Sequence, residues 1–221
     1  MSKLYTKTGD GGMTYLYDGS RRKKNSMFFD VLGDIDELSS HIGMLCAIIS
    51  DLEVKNNWCT TISNFFKNDT SIGDYSSCDY SSCQDTQTKI TILRDIQVKL
   101  LDIGSNIAVV DYTKKDKVPK LTEDDVKKLE SLIDLYDIVP LKEFLITGVG
   151  KSDSQCHICR SCSRRAERSM WKLTEEVDVD ENILKYMNRL SDFFFSFSRN
   201  LSNYKEIKVS DIKNMNKLSD C

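Results

Sequence analysis

Proline is nearly missing from this chain: only Pro119 and Pro140 occur in 221 residues, and both stand where helical patterns stop. A sequence so poor in the residue that breaks helices is expected to be all-α. No run approaches the roughly 20 apolar residues that span a bilayer, which argues against a membrane-embedded protein. Met1-Ser2-Lys3-Leu4-Tyr5 has neither the apolar region of a signal peptide nor an Arg/Ser-rich amphipathic presequence. A cytoplasmic location is therefore expected, or a mitochondrial one if a presequence precedes the chain. A broad excess of positive charge is also lacking, since 31 Lys and Arg stand against 34 Asp and Glu, for a formal net charge of −3. That excludes a nucleic-acid binder working through a general basic field, so any cationic site must be local.

Disulfides are not expected either. The eight cysteines are unevenly spread and come without an export signal, so they read as mostly reduced thiols. Cys156, Cys159 and Cys162 form a CxxCxxC pattern that overlaps iron–sulfur ligand sets, but the fourth Cys followed by Pro is replaced by Ser163-Arg164. On a continuous helix the three thiols spread over about 120°, which is poor convergence on one metal. Small buried packing residues are the expectation, and no metal ligand is assigned.

What is present is helical patterning. With 40% hydrophobic residues the chain can bury one core. Val31, Ile35, Leu38, Ile42, Leu45 and Ile49 recur at intervals of four and three, as do Leu93, Ile96, Leu100, Ile103, Ile107 and Val110, and again Ile183, Met187, Leu190, Phe194, Phe197 and Leu201. Three such stripes are bundle seams. Thr122-Glu123-Asp124-Asp125 resembles a capping box and opens a shorter helix through Val126, Leu129, Leu132, Ile133 and Tyr136. An Arg-rich helix from about Ser154 to Leu173 is the fifth. The Ser/Asp/Cys-rich stretch 68–88, which holds Cys78 and Cys83, reads as a low-complexity, disordered insertion. Residues 205–221 read as a polar tail behind one domain, 1–204.

Chemistry concentrates in few places. Arg160, Arg164 and Arg168 advance by only about 40° from one to the next on a helix, with Glu167 beside them. Like charges four apart repel, so the row points to an anion, a carboxylate partner or a subunit contact, against the plainer reading of a solvated basic face. The start, Tyr5-Thr6-Lys7-Thr8-Gly9-Asp10-Gly11-Gly12-Met13-Thr14, offers backbone N–H groups, hydroxyls and an ammonium suited to phosphates, although the P-loop spacing is absent. Arg21, Arg22, Lys23 and Lys24 add charge after it. Gly33-Asp34-Ile35-Asp36-Glu37-Leu38 places three carboxylates at the expected start of the first long helix, where they serve its dipole or a ligand. Asn188, beside an apolar seam, contacts either a nucleotide or a neighbouring helix.

In combination these segments are recognisable. The Thr-Lys-Thr-Gly-Asp start, Gly-Asp-Ile-Asp-Glu-Leu, the Phe-Leu-Ile-Thr-Gly loop leading to Cys-Arg-Ser-Cys-Ser-Arg-Arg-Ala-Glu-Arg, and Tyr-Met-Asn-Arg-Leu-Ser-Asp follow one another from Leu4 to about Asn203. In content and order the chain resembles the ATP:cob(I)alamin adenosyltransferases of the propanediol-utilisation and methylmalonic-aciduria type.

The resemblance implies a five-helix bundle assembled as a homotrimer, with active sites between subunits. It implies transfer of the 5′-deoxyadenosyl group of ATP to the cobalt of cob(I)alamin, with release of triphosphate. Thr6, Lys7, Thr8, Gly9, Thr14 and Lys24 would line the ATP phosphates, and Arg164, Arg165, Glu167, Arg168 and Asn188 would complete the nucleotide site. Arg164 is the foremost catalytic candidate, Asp36 would pair with Arg160 across the subunit interface, and Phe144 would displace the lower axial ligand of cobalamin. Mg²⁺ would accompany ATP. A reductase and an adenosylcobalamin-dependent acceptor enzyme are the implied partners, with no nucleic acid and no membrane. The alternative is an ATP- and cobalamin-binding carrier or sensor without efficient turnover. The chain departs from the family pattern after Phe144, where Leu145-Ile146-Thr147-Gly148-Val149-Gly150 replaces a proline and paired glycines, and at Gln155-Cys156, which replaces small apolar residues. Both departures bear on the corrin pocket more than on the ATP site.

Overall fold

The computed structural model describes residues 5, 7–66, 80–137 and 140–213, and their side chains except at 53–66, 80–84 and 112. Helix dominates. The α-helices are α1 (Met27–Phe66), α2 (Tyr80–Ile107), α3 (Glu123–Tyr136), α4 (Lys151–Leu173) and α5 (Glu181–Leu201), with a 3-10 helix at Tyr112–Lys117. Two small antiparallel ladders accompany them: β1 (Met13–Tyr15) with β2 (Arg21–Lys23), and β3 (Leu145–Ile146) with β4 (Ile207–Lys208). Among the described residues no helix is long and apolar enough to cross a membrane.

The stripes read from the sequence face the core. Val31 through Ile49, Leu93 through Ile107 and Ile183 through Phe197 are buried at every stripe position, and only the terminal Val110 and Leu201 are half-buried. α4 packs against both α1 and α5, α3 against α5, and α2 against α1. Lys99 of α2 meets Asp125 of α3 at 2.9 Å, which closes the circuit. Phe193, Phe194 and Phe197 are fully buried, and Tyr136 of α3 meets Phe193 and Phe197 edge-on at centroid distances of 6.3 and 5.1 Å. Each such ring contributes about 1.5–3 kcal/mol by leaving water.

Four boundaries differ from the sequence reading, each for a local reason. α1 begins at Met27, because Phe28 is buried along with Val31 and extends the stripe backward. The carboxylates Asp34, Asp36 and Glu37 therefore lie beyond the first turn, where the helix dipole acts. α4 begins at Lys151 rather than Ser154, since the buried Asp153 accepts hydrogen bonds from the Val149 N–H, at 3.0 Å, and from the Gly150 N–H. Of the stretch read as an insertion, residues 80–88 form the start of α2, and 68–79 lie outside the described residues. Of the stretch read as a tail, Ile207–Lys208 forms β4, and 214–221 lie outside the described residues.

The capping box at Thr122 forms. Its hydroxyl accepts from the Asp125 N–H at 3.4 Å, and Asp125 accepts from the Thr122 N–H at 2.9 Å. Burial alone would raise the Asp125 pKa, but Thr122 and the Lys99 ammonium outweigh it and hold the carboxyl at about 2. The folded value lies below the unfolded one, so the ionised group contributes stability above about pH 4 that is lost as the pH falls towards 2. Asp125→Asn is expected to flatten the acid limb of a series of thermal melts between these values. A parallel fall in both proteins would overturn this.

Candidate active site

The N-terminal loop is two consecutive tight turns. Asp10 N–H donates to the Lys7 carbonyl at 3.3 Å and Gly12 N–H to the Gly9 carbonyl at 3.2 Å. Lys7 has φ 58° and Gly12 φ 77°, and the second value suits a residue without Cβ. The chain then enters the β1–β2 hairpin, in which Thr14 pairs with Arg22. Lys24 N–H donates to the Gly12 carbonyl at 2.9 Å, and the Lys24 ammonium lies so close to Gly9 that a Cβ there would stand 3.1 Å from Nζ. Thus Lys24, distant in sequence, closes over the loop that holds Lys7, Thr8 and Gly9. Thr6 lies outside the described residues.

The hairpin is pinned by a residue the sequence reading passed over. Asp18 accepts from the backbone N–H groups of Ser20, Val110 and Asp111 at 2.8, 2.9 and 3.0 Å, joining the hairpin tip to the segment after α2. Burial opposes ionisation here, but these donors overcome it and hold the carboxyl well below the usual carboxylate range.

The arginines of α4 divide by helical face. Arg164 and Arg168 are exposed, and Arg168 donates to the Arg164 carbonyl at 3.2 Å. Arg164 makes no ion pair with a described residue. Arg165, expected at the nucleotide, is engaged within the chain: its Nε donates to Asp34 at 2.9 Å and its Nη2 to Glu37, while the Ser169 hydroxyl donates to Asp34 at 2.6 Å. This cross-tie fixes α4 on α1. Glu167 accepts from the Asn188 amide at 2.8 Å, and Asn188 accepts in turn from Arg189 at 2.7 Å. Glu167 and Asn188 are therefore brought together, joining α4 to α5. An open groove of about 480 Å³ runs beside Asp34, Arg165, Arg168, Ser169 and Lys172. Lys172 was missed, although it continues the four-residue spacing from Arg168.

Arg160 is half-buried, with its guanidinium 5.9 Å over the Phe195 ring and its Nε buried without a hydrogen-bond partner. Its expected partner Asp36 is exposed on α1, and no bond joins the two within one chain. Phe144 is 88% exposed, the highest exposure among the large apolar side chains described. His157 has its pKa lowered, by burial and then by Arg160, so it is neutral at neutral pH.

The buried cysteines are packing residues. Cys156, Cys159 and Cys162 are free, and burial pushes Cys159 up to about 12 and raises the other two. Cys162 does lie near Glu37 and His41, with their donor atoms within 4.8 Å of one another. However, the Gln155 amide donates to the His41 carbonyl at 3.0 Å and lies 3.1 Å from His41 Nδ1. With the Gln155 amide against Nδ1, the other ring nitrogen, Nε2, stands 3.9 Å from Glu37.

The loop half and the arginine half hang on different elements. The bonds described above tie the loop to the hairpin and the end of α2, while the arginines ride on α4 between α1 and α5. Together they offer backbone N–H groups, ammonium and guanidinium to a polyanion.

Comparison with known proteins agrees with that chemistry. The family model described as cobalamin adenosyltransferase matches residues 4–201. The corrinoid adenosyltransferase of Bacillus subtilis is 36% identical over 199 residues, covering 89% of this chain and 85% of its own length. The mouse (Mus musculus) corrinoid adenosyltransferase MMAB is 33% identical over 202 residues, covering 89% and 71%. Among solved structures, a variant PduO-type ATP:corrinoid adenosyltransferase from Lactobacillus reuteri, complexed with cobalamin and ATP, superposes with a TM-score of 0.71 at 26% identity, covering 93% of this chain and 95% of that one. The chain belongs to the cobalamin adenosyltransferase family.

Proposed function

We propose that this chain transfers the 5′-deoxyadenosyl group of ATP to the cobalt of cob(I)alamin, as a homotrimeric five-helix bundle whose active sites lie between neighbouring subunits. The lone pair of Co(I) attacks C5′ of ATP, the C5′–O bond breaks, and triphosphate leaves with the bonding electrons. No proton moves, so no general base is required. That suits a site rich in donors and cations, with His157 neutral and half-buried. The work left to the protein is orientation and stabilisation of charge on the leaving group.

The observation that carries this reading, beside family membership, is the divided site. Lys7, Thr8, Gly9, Thr14 and Lys24 cluster on one set of elements, and the exposed Arg164 and Arg168 stand on another. In the trimer the loop of one subunit, with Thr6, takes the phosphates, and the neighbouring α4 completes the site. Arg160, which has no carboxylate partner among the described residues of its own chain, pairs there with the neighbour's copy of Asp36. Arg165 acts one step removed, by holding α4 on α1, and Glu167 and Asn188 order one another beside the nucleotide. Mg²⁺ would accompany the triphosphate and offset its charge, and the exposed Asp10 is the carboxylate with which the loop could help hold it. Phe144 meets the lower face of the corrin and excludes the axial ligand, which brings Co(II) within reach of a one-electron reductant. A reductase upstream and an adenosylcobalamin-dependent enzyme downstream follow from that chemistry.

An anaerobic assay with purified protein, Mg-ATP and chemically reduced cob(I)alamin tests the proposal. Adenosylcobalamin formed with an equal amount of triphosphate is the expected result. Binding of both substrates to folded protein without product would establish a carrier or sensor instead.

A further inference from the structure

The segment after α5, expected to be a tail, reaches back to the loop that carries Phe144. Asn203 and Tyr204 adopt φ 52° and 56°, a left-handed conformation unfavourable for residues with a Cβ, and turn the chain off the end of α5. Two sets of contacts hold this turn. The Tyr204 hydroxyl donates to the Tyr136 carbonyl at 3.0 Å. Arg199, only 3% exposed, donates to Asp137 at 3.0 Å and to Glu206 at 2.8 Å, with the Tyr204 ring 5.7 Å from its guanidinium. A buried guanidinium needs such carboxylates, because an unpaired charge in that position is strongly unfavourable. The anchor therefore fixes where Glu206 sits, and β4 begins at the next residue.

β4 then brackets Phe144 on both sides. Ile207 and Lys208 pair with Ile146 and Leu145 immediately after it. Val209 N–H donates to the carbonyl of Phe144 itself at 3.4 Å, and Ser210 N–H donates to the Glu143 side chain at 3.4 Å. The Phe144 ring is solvent-exposed, so its backbone contacts are what aim it.

We infer that residues 204–210 are a positioning strap for Phe144, anchored by the Arg199–Glu206 pair and acting on the loop through β4. Arg199, Glu206 and Val209 are positioning residues that touch neither nucleotide nor corrin. The inference rests on the reading of Phe144 as the group that meets the corrin's lower face. It extends the functional unit past the boundary at residue 204 expected from sequence.

The test uses the full chain carrying Glu206→Ala, Glu206→Gln or Val209→Pro, with Phe144→Ala as reference. Val209→Pro deletes one N–H at the first residue of the helical turn 209–213, a position that tolerates proline, and leaves the Arg199 anchor intact. Turnover is measured from cob(II)alamin with a one-electron reductant, and separately from cob(I)alamin reduced beforehand. The electron spin resonance signal of bound Co(II) reports loss of the axial ligand. Glu206→Ala and Val209→Pro are expected to lower the Co(II) route about 10- to 100-fold, the scale of a misplacement near 1 Å, while the Co(I) route and the KM for ATP change little. Glu206→Gln, which keeps an acceptor for Arg199, should retain most of the Co(II) route. Equal losses on both routes would show a merely structural segment and overturn the inference. So would an unchanged Val209→Pro beside a selectively impaired Phe144→Ala. If Phe144→Ala itself shows no selectivity, the reading of Phe144 falls, and the strap with it.

Discussion

Arg164→Ala is expected to lower turnover with pre-reduced cob(I)alamin by about 10²- to 10³-fold, the usual cost of deleting one donor aimed at charge that develops in a transition state. The triphosphate gains negative charge as the C5′–O bond breaks, and a planar guanidinium contacts two of its oxygens at once. Arg164 can be dedicated to that task because the fold leaves it unengaged. It is exposed, whereas Ser163 and Ala166 beside it are buried in the helix contact and Arg165 ties α4 to α1. Its truncation should therefore shift stability by no more than about 0.5 kcal/mol, as for an ordinary surface position. Arg164→Lys retains the charge but not the fork, so turnover should fall between the two. Near-normal kcat in Arg164→Ala, or a matching loss of thermal stability, would remove the residue from the catalytic assignment.

For Phe144→Ala the expected effect is as large but confined to one route. Starting from cob(II)alamin, the rate should fall about 100-fold, which corresponds to about 2.7 kcal/mol. Starting from cob(I)alamin, which carries no lower ligand to displace, the loss should be only a few-fold. An 88% exposed ring contributes little to folding, so melting should hardly change. The backbone at Phe144 is held by Val209 while its ring stands in water, and a corrin face would bury that ring. Equal losses on the two routes would argue against an axial-ligand role.

The parts of this protein legible in sequence are those written at short range. Seams of period three and four, the Thr122 cap and the exposed faces of Arg164 and Arg168 depend on residues within a turn or two of one another, and the structure has them. Arg165 shows where that reasoning stops. One residue beyond Arg164, it falls on the opposite side of a boundary that only the position of α1 defines, with Asp34 more than a hundred residues away. Asp18 with Val110, Arg199 with Asp137, and Val209 with Phe144 are likewise pairings across whole helices, and no local pattern announces them. Phe195 was passed over because it sits just off the apolar stripe of α5, yet it lies under both Arg160 and His157. The site's chemistry was therefore visible before its scaffolding was.

The sealed thiols of α4 matter for the company this protein keeps. Cob(I)alamin is among the strongest nucleophiles in biology, and its oxidised forms readily accept sulfur as an axial ligand. A thiolate near the reaction could compete for C5′ of ATP or capture the cobalt. Cys156 and Cys159 are inaccessible to solvent, and burial keeps both protonated at neutral pH. A helix that carries three cysteines within seven residues thus keeps its thiols away from the chemistry while its charged side chains face it.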